Sequence, residues 1–134
     1  MSASSLSSAA LAYLGDAVCE LLVRELLVGL GFTSSARLNH FALDFVRASA
    51  QADAVMRLMP HLSPEEEAVF RYGRNHTTQN IPKSASMKEY RYATGFEVLL
   101  ASLYTDGKTD RLRELFALAY APQIEALRAE LGAN

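Results

Sequence analysis

Leu11-Ala12-Tyr13-Leu14-Gly15-Asp16-Ala17-Val18 is a run of helix formers with a single acid inside it. It lies in a longer apolar stretch from Ala9 that only Asp16, Glu20, Arg24 and Glu25 break. Ser7 or Ser8 can cap a helix here, and Gly29 and Gly31 can end it, which predicts helix to about Val28. The helix is apolar on almost every side and is therefore expected to be central. At 100° per residue the neighbours of Asp16 are Ala12, Tyr13, Cys19, Glu20 and Val23. Asp16 sits mid-helix, where it caps nothing and is a poor helix former. A buried carboxylate without a partner costs several kcal/mol or takes up a proton, so something must offset that cost.

Outward from this helix the chain reads as helical almost throughout. Thr33, Ser34 and Ser35 offer caps for a second helix carrying Leu38, Phe41, Ala42, Phe45 and Val46 at i, i+3, i+4 spacing. Helix resumes over 50–59 and stops at Pro60. Ser63-Pro64-Glu65-Glu66 combines a cap, a first-turn proline and a capping box, and opens a helix to about Arg71 or Tyr72, with Gly73 as its stop. Residues 73–85, GRNHTTQNIPKSA, form one long polar irregular stretch. Ser86-Met87-Lys88-Glu89 is a second capping box and opens a helix to about Tyr104, with Gly107 after it. A last helix starts near Thr109 or Asp110, is interrupted by Pro122 and continues to Leu131. The serines at 2, 4, 5, 7 and 8 predict a frayed start. The fold class is all-α, with six or seven helices around one core.

The 134 residues fit a single domain over 1–134, and a chain of this size buries about two-thirds of its unfolded surface. Half of the residues are apolar and 21% are charged, which excludes a disordered tail. No apolar run reaches the roughly 18 residues of a membrane span, so no membrane partner is expected. No basic leader opens the chain, and a cytoplasmic location is expected. Cys19 is the one cysteine, which excludes an internal disulfide and any multi-cysteine zinc site. The net charge of −2 argues at first against nucleic acid, but it is unevenly placed. Arg71, Arg74, Lys83, Lys88 and Arg91 against Glu89 make the segment 71–91 +4, leaving −6 for the remainder. Such a segment is either a solvated loop or an anion-binding face.

Glu97 repeats the puzzle of Asp16. Its helix face carries Tyr90, Ala93, Thr94, Leu100, Ala101 and Tyr104. Two lone carboxylates on apolar helices are candidates to converge, and a hard divalent cation such as Mg²⁺ is their simplest shared partner. The alternative for each is an arginine salt bridge or a partly exposed helix acid. His40, His61 and His76 show no metal-ligand spacing, no glycine-rich phosphate loop is present, and Ser102 is in no nucleophile elbow. Cys19 reads as an inert core thiol, and the Met and Phe positions read as core.

LAYLGDAV (11–18), EEEAVFRYGRN (65–75) and YRYATGFEVLL (90–100) together resemble the ribonuclease III family, and in particular its Mini-ribonuclease III branch, which has a catalytic domain and no double-stranded-RNA-binding domain. The resemblance covers about residues 8–120. Where the family has four acids, this chain keeps two, Asp16 and Glu97. Ala12 and Thr94 stand at the other two positions, a reduction the branch shares. The resemblance implies the ribonuclease III catalytic fold as a homodimer, with Tyr13 as the aromatic inserted into the partner subunit. It implies a metal-dependent endoribonuclease that cuts double-stranded RNA to 5′-phosphate and 3′-hydroxyl ends. Asp16 and Glu97 would be the catalytic metal ligands, with Mg²⁺ as cofactor and Mn²⁺ as its substitute. Arg71, Arg74, Asn75, His76, Lys83, Lys88 and Arg91 would be the RNA contacts. The implied substrate is the precursor of 23S ribosomal RNA in the large subunit, with a ribosomal protein or the assembling subunit as further partner. The rival within the fold is a non-catalytic RNA-binding or ribosome-assembly protein, and outside it a helical dimerisation module whose carboxylates are merely salt-bridged.

Overall fold

Every residue from Ala93 to Leu103 except Glu97 is buried, and the helix that carries them organises the chain. The computed structural model describes residues 1–76 and 86–132. Among these it contains α1 (Ser8–Leu30), α2 (Ser35–Val46), α3 (Ala48–Leu58), α4 (Pro64–Asn75), α5 (Met87–Thr105), α6 (Thr109–Ala119) and α7 (Ala121–Gly132). Two 3₁₀ turns, Ala3–Ser5 and Met59–His61, complete them, and no strand is present among the described residues. The all-α class and the count of seven helices agree with the sequence reading.

α5 is the hub, packed against α1, α3, α4 and α6. α1 is less enclosed than its composition suggests: Leu11, Val18, Leu22, Val23 and Leu27 face the core, while Tyr13, Leu21 and Val28 are exposed. An apolar circumference therefore does not by itself make a helix buried on every side. The core gathers Phe45, Phe70, Phe96 and Tyr120, all fully buried. Tyr120 packs its ring at 4.9 Å from Phe45 and donates its hydroxyl to the Phe45 carbonyl at 2.7 Å, so its polar end is satisfied. The phenylalanines sit in or beside the core as expected, whereas Met56 and Met87 are exposed.

The helix ends follow their signals, with three corrections. Ser7 caps α1, Ser34 caps α2, and both capping boxes form, Ser63 with Glu66 and Ser86 with Glu89. α1 runs through Gly29 and ends where Gly31 takes φ +107°. Gly73 does not stop α4, which continues to Asn75. Gly73 is a contact point instead, since a Cβ there would lie 2.7 Å from the Val98 side chain on α5. The last helical stretch breaks near Pro122 as expected: α6 ends at Ala119, Tyr120 forms the turn, and Pro122, with no N–H to give the Leu118 carbonyl, sits in the first turn of α7. The serine-rich start is not frayed: Ala3 is buried and its N–H donates to Asp106 at 3.0 Å. Of the polar stretch read over 73–85, residues 77–85 lie outside the described residues.

Two ties hold the periphery. Arg111 on α6 grips Glu66 at the start of α4 through two bonds of 2.8 Å, and also donates to the His61 carbonyl at 2.7 Å. Arg113 pairs with Glu25 on α1 at 2.6 Å.

Candidate active site

The carboxylates meet because α1 and α5 cross without a side chain between them. Gly15 lies against the backbone of Glu97, and a Cβ at Gly15 would stand 1.9 Å from the Glu97 carbonyl oxygen. The residue after Gly15 is Asp16, so the closest approach of the two helices delivers both acids to one place. Asp16 and Glu97 line a single cavity of about 240 Å³ together with Ser8, Ala9, Ala12, Tyr13, His76, Tyr90 and Thr94. Asp16 stands exposed at its rim and Glu97 is half-buried. Neither carboxylate has an ion-pair partner among the described residues, so the salt-bridge alternative fails for both; Asp16 is the exposed helix acid of the other alternative rather than a buried carboxylate, and only Glu97 bears the cost of burial.

The absence of a neighbouring cation shows in the acidity of Glu97. Burial, then the negative charge of Asp16, pushes its carboxyl up to about 8. One group opposes this: the amide of Gln51, which favours the charged form of Glu97 and donates to the Cys19 sulfur at 3.6 Å. Gln51 lies on α3 and is 4% exposed. The residue-by-residue reading missed it, since an amide on a helix of alanines carries no spacing signal; only its burial marks it.

Ser8 was also missed. It is read from sequence as an alternative cap, but Ser7 caps α1, and the Ser8 hydroxyl is buried at the cavity with no hydrogen-bond partner among the described residues. Thr94 uses its hydroxyl internally, donating to the Tyr90 carbonyl at 2.9 Å. Ala12 and Thr94, which stand where the resemblance expects acids, therefore line this cavity but add no charge to it. Cys19 is an inert core thiol as read: it is fully buried, and burial raises it to about 12.

The basic residues divide into groups. Arg74, Asn75, Lys88 and Arg91 line one hollow of about 410 Å³ with Met87 and Tyr92, between the end of α4 and the start of α5. The Arg74 guanidinium lies 5.7 Å from the Phe70 ring centre, and the Lys88 ammonium 5.6 Å from that of Tyr92. His76 faces the carboxylate cavity instead and donates from Nδ1 to the Tyr72 carbonyl at 2.9 Å. Arg71 stands apart, paired with Glu67 at 2.6 Å. Lys83 lies outside the described residues. Asn75 and Arg91 line the basic hollow while their chain neighbours His76 and Tyr90 line the acidic one, so the two hollows adjoin.

Tyr13 is 87% exposed, which excludes an ordinary core aromatic. No helix is long and apolar enough to cross a membrane among the described residues.

Residues 9–108 match the ribonuclease III domain family. The chain is 45% identical over 109 residues to Mini-ribonuclease 3 of Symbiobacterium thermophilum, covering 81% of this chain and 84% of that one. It is 39% identical to Mini-ribonuclease 3 of Enterococcus faecalis, covering 82% and 85% of the two chains. The fold is similar to the crystal structure of a protein from Fusobacterium nucleatum, with a TM-score of 0.79 at 24% identity over 88% of this chain and 94% of that one. With the two acids of its signature segments meeting in one cavity, the chain belongs to the ribonuclease III family, alongside the Mini-ribonuclease 3 proteins.

Proposed function

We propose that this endoribonuclease cleaves double-stranded RNA at the Asp16–Glu97 pair with the help of a divalent metal ion, Mg²⁺ or Mn²⁺, as one catalytic domain. The observation that carries the reading is a pair of carboxylates brought together by a helix crossing and left without a cation of their own. The residues fit such an ion. The donors around the cavity are mostly oxygens, the type that hard cations prefer, and the unpartnered Ser8 hydroxyl offers a hydrogen bond to the water such ions retain. A divalent ion held by Asp16 and Glu97 supplies Lewis acidity toward water and phosphate oxygens.

The chain's own residues do the rest. Asp16, at the exposed rim, can accept a hydrogen bond from the attacking water and orient it toward the phosphorus. The water oxygen bonds to phosphorus and gives up a proton to solvent while the P–O3′ bond breaks and the departing 3′ oxygen takes a proton from solvent, leaving a 5′-phosphate and a 3′-hydroxyl. Arg74, Lys88 and Arg91, with Asn75, meet the phosphates next to the cut from the adjoining hollow, while His76 lies beside the carboxylates themselves. A-form RNA is gripped through phosphates and 2′-hydroxyls, which suits a basic hollow without a deep base-reading pocket. Arg71 is occupied by Glu67 and serves at most as a secondary contact. Lys83 is part of the proposed RNA face by its charge alone.

The exposed apolar side of α1, with Tyr13, Leu21 and Val28, supports a homodimer in which each subunit cuts one strand. The paired ends of the 23S ribosomal RNA precursor as substrate, the assembling large subunit or one of its proteins as partner, and a cytoplasmic location rest on the family resemblance.

The test is cleavage of a long RNA duplex with Mg²⁺, with EDTA and with Asp16→Asn. Cutting is expected in the first case alone, and undiminished cutting by the variant would remove Asp16 from the mechanism. Light scattering of Tyr13→Asp checks the dimer, which should dissociate; an intact active dimer contradicts the role given to Tyr13.

A further inference from the structure

His76 stands where the two hollows meet. It follows Asn75, which lines the basic hollow, and it lines the carboxylate cavity itself with Asp16 and Glu97. It is the C-cap of α4, and its backbone N–H and its ring Nδ1–H both donate to the Tyr72 carbonyl, at 3.1 and 2.9 Å. Its ring also lies against that of Tyr72, with the centres 4.6 Å apart. An exposed side chain is thus held in one orientation by a hydrogen bond and a ring contact. The same bond decides where the ring proton is. A carbonyl only accepts, so the hydrogen is on Nδ1, and in the uncharged ring Nε2 then carries a lone pair and no hydrogen. Among the described residues no donor meets Nε2.

An acceptor in this place calls for a ligand group with a hydrogen to give. A phosphodiester has none. The ribose 2′-hydroxyl has one, every nucleotide of an RNA strand offers it, and DNA lacks it. The layout brings a ribose to the same spot. A strand cut at Asp16–Glu97, with the neighbouring phosphate held by Arg74, Lys88 or Arg91, has one sugar between those two phosphates, and His76 lies between the two hollows. We propose that His76 is a specificity residue of the cleavage site, its Nε2 accepting a hydrogen bond from the 2′-hydroxyl beside the scissile phosphate, and so one of the contacts by which the site tells RNA from DNA. The proposal rests on the reading that the strand is cut at Asp16–Glu97, and it names the substrate group that His76 meets.

The experiment is single-turnover cleavage of an RNA duplex with one defined cut, with Mg²⁺ at about pH 8.5, above the ordinary histidine range. The two nucleotides flanking the cut carry a 2′-fluoro ribose, one at a time. Fluorine keeps the A-form sugar pucker and removes the donor, which separates the hydrogen bond from the shape of the duplex. The proteins are the wild type, His76→Ala, His76→Gln (whose amide oxygen can stand in for Nε2) and Asp16→Asn. In the wild type, fluorine at one of the two nucleotides should slow cleavage about 3- to 10-fold, the worth of one neutral hydrogen bond. His76→Ala should be slower by the same factor on the unmodified duplex and lose nothing further with fluorine. His76→Gln should regain part of both the rate and the sensitivity. Both His76 variants should melt within about 3 °C of the wild type, because the side chain is exposed. Equal slowing by fluorine in the wild type and His76→Ala, no slowing in the wild type at either nucleotide, or a wild-type rate for His76→Ala would each overturn the role of His76 and leave the carboxylate site standing. Undiminished cutting by Asp16→Asn would overturn the site and this proposal with it.

Discussion

Glu66 and Glu97 are both glutamates partly withdrawn from water on helices that pack against the core, and they are in opposite states. Glu66 meets Arg111 through two bonds of 2.8 Å, and that pairing holds its carboxyl down at about 2. Glu97 meets Asp16, another acid, and is pushed up to about 8. The first site is closed: its charge is neutralised within the chain, and its work is to clamp the start of α4 to α6. The second is open: the chain brings two negative charges together and provides no positive one among the described residues. Glu66 carries its counter-charge with it, whereas Glu97 is left to find one outside, as the proposed metal site requires.

Exchanging the charge at each site tests this contrast most strongly. Glu97→Gln should reduce cleavage by about 100- to 1000-fold, the loss typical of removing a group that stabilises transition-state charge. Glu66→Gln should leave cleavage per folded molecule unchanged and cost about 1–3 kcal/mol of stability by denaturant unfolding, since Arg111 loses the more buried of its two charged partners, Glu66 and Glu114. A large loss of cleavage in the Glu66 variant would erase the distinction between the two sites.

Gly15→Ala attacks the geometry rather than the charge. A methyl group 1.9 Å from the Glu97 carbonyl must force α1 and α5 apart, so a loss of at least about 2 kcal/mol is expected together with weaker metal binding. A stable, fully active variant would show that the crossing is not what assembles the site.

The two acids also leave opposite marks on metal-free stability. The folded acidity of Glu66 is lowered from 4.5 to about 2, so its contribution is present above pH 4.5 and lost as the pH falls toward 2. That of Glu97 is raised from 4.5 to about 8, so its contribution is present below pH 4.5 and lost as the pH rises toward 8. Melting curves in EDTA should decline across the upper window in the wild type and flatten there in Glu97→Gln alone. Equal slopes in both proteins would contradict an unpaired Glu97.

The smallest effect separates two arginines. Arg74→Ala should reduce the salt slope of RNA binding by about 1, the share of one phosphate contact, while Arg71→Ala, whose charge is already paired, should change it less. Equal slopes for the two variants would show that ion pairing on α4 does not decide which base meets the RNA.

Much of this was legible in advance because it is local. Ser63 and Ser86 announce their helices, since a capping box involves only four consecutive residues. Asp16 and Glu97 stand out because each is a charge in an apolar helical run, and the segments around them resemble one family. Local rules failed where a residue had a distant partner. Gly73 looks like a helix stop and is a contact with Val98; Ala3 belongs to a serine-rich start and is docked on Asp106; Gln51 has no pattern around it and lies beside Glu97.

The order of helices, their caps and the identity of the two acids follow from the sequence by itself, because helical periodicity and capping are properties of short segments. Only the tertiary structure decides that the acids share a cavity, that Arg111 neutralises Glu66 and nothing described neutralises Glu97, and that Asn75 and His76 face two adjoining hollows. The physical reason is that a carboxylate's state depends on burial and on the charges around it, and those are set by which helices cross and how closely, here by the missing side chain of Gly15.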